Sequence, residues 1–203
     1  MEAGYLDVIN EELGRIELFV QSLLGAFHPN RSQPTALSLS SQIDAVVGFL
    51  RPRLEQRRIV TTQQIESSIP AVLAEPEGLR QVLLNLILNA IDAMPQGGIL
   101  SFSASADLDH VHLSIADTGV GISTDVLDRL FDPFVTTKPE GEGSGLGLSI
   151  CRSLLERFDA QIGAKNLPAP AHGAVFTIHM RRADSTGRFR VPEELKTQMD
   201  GVR

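Results

Sequence analysis

Residues 85–94, NLILNAIDAM, form an apolar run that two asparagines interrupt. Asparagine is a modest helix former, and an amide buried without hydrogen-bond partners is costly. On a helix, Gln81, Asn85, Asn89 and Asp92 fall at spacings of four, four and three, so they form one polar stripe. Asparagine offers an oxygen to a hard cation and an amide donor to a phosphate. The stripe predicts either a ligand site or two amides that hold a neighbouring loop.

The segments on both sides of this helix alternate between strand and helix patterns. A proline near the start of the central helix and an acidic first turn are typical of a helix N-terminus. Strands are predicted at 36–40, 59–66, 71–74, 161–167 and 174–182, a hairpin at 98–119, and helices at 40–58, 75–94, 122–131 and 146–159. The pattern predicts an α/β (α+β) two-layer sandwich, with a mixed sheet and helices on one face.

The first segment has a different pattern, because its apolar residues alternate spacings of three and four. This seam is formed by Leu6, Ile9, Leu13, Ile16, Val20, Leu23 and Phe27. Such a period predicts a coiled-coil-like helix, whose apolar seam needs a partner helix. We therefore expect a homodimer through this helix or through a missing hairpin helix. The predicted organisation is a helix at 1–27, a linker at 28–35, a main domain at 36–182 and a tail at 183–203.

The composition excludes several classes of protein. The chain has 203 residues, a net charge of −7 and a hydrophobic fraction of 42 %. The acidic balance argues against nonspecific nucleic-acid binding. No apolar run approaches the roughly 20 residues that a membrane span needs, and the start lacks a signal-peptide pattern. The single cysteine, Cys151, excludes an intrachain disulfide, so we expect a cytoplasmic protein without membrane contact in this segment.

Two glycine-containing motifs follow the central helix. In DTGVGI, residues 117–122, an aspartate ends an apolar strand, and the glycines let the backbone approach a ligand closely. The alternative is an ordinary turn. In GEGSGLGLS, residues 141–149, four glycines lead directly into a helix whose first amides suit a polyphosphate. This stretch fits neither G-x-G-x-x-G nor G-x-x-x-x-G-K-[ST], which disfavours a dinucleotide fold and a P-loop.

Taken together, these stretches resemble the sensor histidine kinases, within the superfamily that includes DNA gyrase B subunits, MutL and a heat-shock chaperone. LRQVLLNLILNA resembles the N box, DTGVGI the G1 box, LFDPFVTTK the F box and GSGLGLSI the G2 box. Their order and spacing fit along about residues 36–182. The sequences DPF, TTK and NAIDAM are most similar to those of the nitrogen-regulation and oxygen-sensing branch of the family. The resemblance implies a Bergerat-type ATP-binding fold.

The resemblance also implies a site for ATP and Mg²⁺. Asn89 would bind Mg²⁺ through its side-chain oxygen, Asn85 would contact the phosphates and Asp117 would receive the adenine amine. Residues 132–144 would form the ATP lid, whose Lys138 would reach the phosphates. Phe131 and Phe134 would pack at the root of the lid. The full implied ATP-binding set is Asn85, Asn89, Asp117, Gly119, Gly121, Ile122, Thr136, Thr137, Lys138, Gly143, Ser144, Gly145, Leu146 and Gly147.

The residue type at position 85 bears on the reaction. The superfamily's hydrolases carry a glutamate there, and asparagine is no general base at neutral pH. The resemblance therefore implies phosphoryl transfer to a histidine, with Asn85 and Lys138 as catalytic residues, followed by relay to a response-regulator receiver domain. Phosphoryl transfer depends mainly on positioning and charge neutralisation. A hydrolysing ATPase, a serine kinase of the same superfamily and a non-catalytic nucleotide-dependent interaction module remain the alternatives.

Three departures from the family pattern are visible. The family's acceptor is a histidine followed by an acidic residue, and none of the five histidines of this chain has that context. The sequence therefore looks like half of a dimerisation hairpin plus the catalytic domain, and we expect no self-phosphorylation. Glu75 stands where the family usually has aspartate. Asp92 stands where other branches have a basic residue.

Overall fold

The computed structural model describes residues 33–138 and 143–183. The predicted helix at 1–27 lies outside the described residues, as do most of the linker at 28–35, lid residues 139–142 and the tail beyond Ala183. Within the described part, no helix is long and apolar enough to cross a membrane.

The sheet is mixed and has five strands in the order β2-β4-β5-β7-β6. Strand β2 pairs with β4 in parallel, and the other neighbours are antiparallel. A separate antiparallel pair is formed by β1 and β3. The strands are β1 (Thr35–Leu37), β2 (Ile59–Gln64), β3 (Val72–Ala74), β4 (Gly98–Ala106), β5 (His110–Asp117), β6 (Gln161–Asn166) and β7 (Ala174–Arg181).

Four helices are described, namely α1 (Leu39–Gln56), α2 (Pro76–Ala93), α3 (Thr124–Leu127) and α4 (Gly147–Glu156). Helix α1 begins after the N-cap Ser38, whose side chain accepts a hydrogen bond from the amide of Ser41, and Pro52 lies inside it. Helix α2 is the central helix, with a proline in its first turn and nine buried residues between Gly78 and Ile91. Because so much of this helix is buried, the polar side chains of its stripe need hydrogen-bond partners from the protein or from a ligand.

The hydrophobic core lies between the sheet and helices α1, α2 and α4. Alternate residues of β5 are buried, ending with Asp117, while the intervening residues are half-buried on the other face. This two-residue period is expected when one face of a sheet is covered by helices. The prediction of a two-layer sandwich with a mixed sheet is therefore confirmed.

The main difference from the sequence interpretation is helix α3. A helix was expected over 122–131, but the helical segment has only four residues, and none of them is buried. A short helix without a buried face has little packing to extend it, because most helix stability in proteins comes from tertiary contacts. Helix α1 also begins one residue earlier than expected, because Ser38 caps it.

Candidate functional site

The two asparagines of α2 have different environments. The Asn85 side-chain nitrogen lies 3.3 Å from the Gly147 carbonyl oxygen and 3.6 Å from the Cys151 sulfur, and its oxygen accepts from Gln81 at 3.3 Å. Asn85 therefore ties α2 to the first turn of α4. Asn89 is half-buried, and its amide makes no hydrogen bond to any residue that the structure describes. An unpartnered amide on a largely apolar helix is a candidate ligand-binding group.

The carboxylate of Asp117 ends β5 and is buried, with only 4 % of the residue exposed. Its Oδ1 accepts hydrogen bonds from the backbone amides of Gly119 at 2.8 Å and Ala174 at 3.4 Å. Burial raises the pKa of this carboxyl group, and the two amide hydrogen bonds oppose that rise. Asp117 is thus a buried acceptor fixed in orientation by its own loop and by β7.

The loop after Asp117 packs closely on the end of α2. The amide of Val120 donates to the Ala93 carbonyl oxygen at 3.2 Å, and a Cβ added to Gly119 would lie 2.5 Å from the same oxygen. That separation is too short for any side chain, so position 119 requires glycine. Gly121 has a φ of +75°, a conformation that favours glycine. These contacts place the 117–122 loop against the C-terminal end of α2.

Asn166 holds the far side of this loop. Its side-chain oxygen accepts from the Ile122 amide at 2.7 Å, and its nitrogen donates to the Ile122 carbonyl at 2.7 Å. The Asn166 amide therefore forms the pair of hydrogen bonds that a neighbouring strand would form, and it fixes the backbone at the end of the loop. Sequence reasoning did not single out Asn166, and no local pattern could have done so, because its partner is 44 positions away.

The two described ends of the lid segment meet in a narrow neck. The Phe134 amide donates to the Gly145 carbonyl oxygen at 2.9 Å. Gly145 has a φ of +64°, and a Cβ there would lie 2.4 Å from the Phe134 carbonyl carbon. A Cβ on Gly143 would lie 2.8 Å from the Thr136 hydroxyl oxygen. Gly145 thus allows a close approach to the Phe134 backbone, and Gly143 leaves room for the Thr136 side chain.

The phenylalanines at the neck differ from each other. Phe131 packs partly against the core, and the Arg152 guanidinium lies 5.0 Å from its ring centroid. Phe134 is 75 % exposed and has a φ of +66°. The expectation that both would pack at the root of the lid is therefore correct for Phe131 and wrong for the Phe134 side chain. The Phe134 backbone, rather than its ring, forms the neck.

In its described part, the expected lid segment contacts α2 through Lys138. The Lys138 ammonium lies 2.5 Å from Asp92 Oδ2, and the Arg53 guanidinium lies 3.6 Å from Asp92 Oδ1. The Lys138 amide also donates to the Thr136 hydroxyl at 3.1 Å, which turns the backbone at this point. Lys138 therefore contacts a residue about one helical turn from Asn89, although the lid and α2 are far apart in sequence.

Helix α4 begins beside this neck. Its N-cap residue is Leu146, and no side chain caps the first turn. The Leu146 amide donates to the Ser144 hydroxyl at 3.3 Å, and a Cβ on Gly147 would meet no atom within 4 Å. Backbone amides at an uncapped helix start carry the positive end of the helix dipole, which attracts anions.

Metal-binding groups of the usual kind are lacking near these residues. Over 33–138 and 143–183, no group of three or more His, Cys, Asp or Glu side chains is arranged to hold a metal ion. Three of the histidines, His110, His112 and His179, form a cluster with Asp107 on β5 and β7 instead. The contacts of this cluster are to one another and not to Asn89, Asp117 or Lys138.

This arrangement is that of a known family. The family model described as "Histidine kinase-, DNA gyrase B-, and HSP90-like ATPase" matches residues 74–184, which is more than half of the chain. The chain therefore belongs to the histidine kinase-, DNA gyrase B- and HSP90-like ATPase family. The match confirms the resemblance drawn from the four motifs.

Curated relatives are named sensor kinases. Sensor histidine kinase ZraS of Escherichia coli K12 is 33 % identical over 89 % of this chain and 39 % of its own length. Sporulation kinase E of Bacillus subtilis is 32 % identical over 87 % of this chain and 23 % of its own length. The chain thus spans less than half the length of these relatives.

Solved structures show the same fold. The nucleotide-free catalytic domain of histidine kinase ThkA aligns with a TM-score of 0.66 and 26 % identity, covering 74 % of this chain and 99 % of that one. Full-length ShkA in complex with AMPPNP aligns with a TM-score of 0.70 and 26 % identity, covering 89 % and 39 %. ThkA in complex with the response regulator TrrA aligns with a TM-score of 0.69 and 27 % identity, covering 88 % and 50 %.

Proposed function

We propose that this chain is the ATP-binding catalytic portion of a sensor histidine kinase, and that it donates the γ-phosphoryl group of ATP to a histidine outside this chain. The relatives named above are sensor kinases, and the ShkA structure contains an ATP analogue. Residues 36–182 would form the catalytic domain. A response-regulator receiver domain would be the final acceptor, as the complex of ThkA suggests.

The observation that carries this proposal is the convergence of three loops around Asn89. Asn85, four residues before it, contacts the start of α4. Asp92, three residues after it, contacts Lys138 of the lid, and Ala93 contacts the loop that follows Asp117. Asn89 therefore lies within about one helical turn of residues that contact a lysine, an uncapped helix start and the loop of a buried carboxylate. These groups suit the phosphates and the base of a nucleotide.

The adenine end of the site would be formed by the loop at 117–122. Asp117 would accept a hydrogen bond from the exocyclic amine, because its carboxylate is buried and already oriented by two amides. Gly119 and Gly121 would shape the wall beside the base, and Ile122 would contribute apolar surface. Asn166 would act through Ile122, whose backbone it fixes.

The phosphate end would be formed by the lid and the start of α4. Lys138 would act as a point charge, and the hydroxyls of Thr136 and Thr137 would donate to phosphate oxygens. The remaining contacts would come from the backbone of the stretch with Gly143, Ser144, Gly145, Leu146 and Gly147. Gly147 leaves open space where a phosphate would lie close to the backbone.

Asn89 would hold Mg²⁺ through its side-chain oxygen. Mg²⁺ usually keeps several waters and binds proteins through one or two oxygen ligands together with the phosphates of a substrate. One amide oxygen, without a cluster of acidic side chains in the described part of the chain, therefore fits a metal that arrives with the nucleotide. When bound, the ion would neutralise charge on the phosphates.

Asn85 supports transfer rather than hydrolysis. Both ends of its amide are engaged by protein groups, so for Asn85 to contact a phosphate it would have to exchange its hydrogen bond to Gly147. An amide does not accept a proton at neutral pH, so it does not activate water. The catalytic contribution would be positioning and charge neutralisation, with Lys138 as the cationic group. Asn85 also disfavours the alternative of a hydrolysing ATPase.

The same proposal covers assembly and location. The apolar seam at 6–27 would form a homodimer by pairing with a partner helix. A single cysteine and a requirement for ATP fit a cytoplasmic location. Analytical ultracentrifugation of the chain, compared with a variant truncated before residue 33, tests the dimer directly.

Titration with an ATP analogue tests the binding step. We expect AMPPNP to raise the melting temperature in the presence of Mg²⁺, because a ligand that binds only the folded state stabilises it. Asn89→Ala should lose most of the Mg²⁺-dependent part of the affinity. Absence of binding by the unaltered chain, or equal binding by Asn89→Ala, would contradict the proposal.

Incubation with γ-labelled ATP tests the reaction. We expect no phosphohistidine on the chain itself and no steady release of phosphate. Steady turnover without an acceptor would favour the hydrolase alternative. Binding without transfer to any added hairpin that carries a histidine and its acidic neighbour would favour the interaction module.

A further inference from the structure

Asp92 occupies an unfavourable position in α2. It lies in the last turn of the helix, where the dipole is negative, and that turn contains no basic residue. A carboxylate there is repelled by the unpaired carbonyl groups of the helix end. Its charge therefore has to be balanced by residues from elsewhere in the fold.

Two cations from different elements provide that balance. Lys138 of the lid contacts Asp92 Oδ2 at 2.5 Å, and Arg53 of α1 contacts Asp92 Oδ1 at 3.6 Å. The three side chains are between a quarter and just over a third exposed, at 35 % for Lys138, 33 % for Asp92 and 26 % for Arg53. Each cation thus uses a separate carboxylate oxygen, so that one can leave while the other stays.

We propose that Asp92 is a positioning residue that holds Lys138 on α2 until the phosphates of a nucleoside triphosphate replace Asp92 as the partner of Lys138. Arg53 then stays paired with Asp92 after Lys138 has left. The inference rests on the proposed function, because Lys138 is the lysine assigned there to the phosphates. It assigns roles to Asp92 and Arg53, which had none in the proposed site.

The consequence is a competition between Asp92 and phosphate for one ammonium group. Removing the Asp92 charge frees Lys138, so the affinity for ATP should rise. Removing Arg53 leaves Lys138 as the one cation on Asp92 among the residues that the structure describes. The ion pair should then tighten, and the affinity for ATP should fall. Adenosine has no phosphate, so its affinity should not respond to either change.

The experiment measures the affinities of adenosine, ADP and ATP by calorimetry for the full chain and its variants. Asp92→Asn should bind ATP about two- to fivefold more tightly, the range that a partly exposed ion pair supports. Glu77→Gln is the matched control, because Glu77 is an exposed acidic residue of the same helix in an ion pair with Arg80. It should leave all three affinities unchanged.

Two double variants separate positioning from simple repulsion. In a Lys138→Met background the gain from Asp92→Asn should vanish, since no lysine remains to be freed. A gain that persists there would mean that Asp92 merely repels phosphate, and it would overturn the inference. Arg53→Gln should weaken ATP binding about two- to fivefold, and this loss should vanish in the Asp92→Asn background. A loss that persists would assign Arg53 directly to phosphate and would also overturn the inference.

The outcome is distinguishable from failure of the proposed function. If the unaltered chain does not bind ATP, the proposed function fails. If the chain binds ATP in an Asn89-dependent manner but Asp92→Asn changes nothing, or changes adenosine and ATP binding equally, the positioning role alone fails.

Discussion

Two glycines of one motif, Gly145 and Gly147, are predicted to respond oppositely to alanine. The two glycines have similar neighbours in the sequence GSGLGL, but their surroundings in the structure differ. Gly145 has a φ of +64°, and an added Cβ would lie 2.4 Å from the Phe134 carbonyl carbon. At Gly147, in the first turn of α4, an added Cβ would meet nothing within 4 Å.

The magnitude follows from these two features. A non-glycine residue in the left-handed region costs about 1–2 kcal/mol. Overpacking against backbone that cannot move adds about 1–3 kcal/mol. Gly145→Ala should therefore lower the free energy of unfolding by about 2–5 kcal/mol. For a chain of 203 residues, each kcal/mol shifts the melting temperature by about 2–4 °C. Gly147→Ala should be neutral or slightly stabilising, because alanine is the better helix former.

Thermal unfolding followed by circular dichroism gives the comparison, with Gly163→Ala as a second control. Gly163 lies in β6, and a Cβ there would also meet nothing within 4 Å. Gly145→Ala should melt roughly 4–20 °C below both controls. If all three variants melt within about 2 °C of one another, a shift below that expected for 1 kcal/mol, the reasoning about the neck is refuted.

Three further predictions concern the amide, the histidine cluster and an ion pair. Asn89→Ala should lower Mg²⁺-dependent AMPPNP affinity at least about tenfold by calorimetry, the effect of one lost charge-assisted contact, while the melting temperature without nucleotide stays unchanged. Burial and the neighbouring His112 lower the pKa of His179 from 6.5. Between that lowered pKa and 6.5 the unfolded chain binds more protons than the folded chain, so the free energy of unfolding should fall as the pH drops through this range. His179→Gln should make the free energy of unfolding, measured in urea, depend less on pH. Glu75 is buried and lies 2.6 Å from Arg157. Arg157→Met should lower the free energy of unfolding in urea by about 1–3 kcal/mol, because it leaves a buried acceptor without its donor, and Glu75→Gln in the same background should recover part of that loss.

The sequence predicts the elements that carry strong periodic patterns. The long helix was expected over 75–94 and lies at Pro76–Ala93, because its apolar face and its proline define both burial and start. The hairpin of β4 and β5 follows the two-residue alternation closely. The segment at 122–131 was mistaken for a full helix, since its few apolar residues gain no burial that would extend four helical residues.

The sequence predicted those residues of the candidate site that stand in short local motifs, but not the contacts between distant segments. Asn89, Asp117 and the glycines stand in recognisable local patterns, and the structure brings their segments together at the end of α2. The contacts that fix those residues join distant parts of the chain. Asn166 meets Ile122 across 44 positions, and Lys138 meets Asp92 across 46. Such pairs depend on the packing of whole elements, and no spacing along the sequence specifies them.

A crystal structure of this chain with AMPPNP and Mg²⁺ would show whether the nucleotide binds at α2. We expect the adenine amine at the Asp117 carboxylate, the metal at the Asn89 side-chain oxygen, and Lys138 moved from Asp92 to the phosphates. A nucleotide bound away from α2, or an Asn89 amide that contacts neither metal nor phosphate, would contradict the central claim.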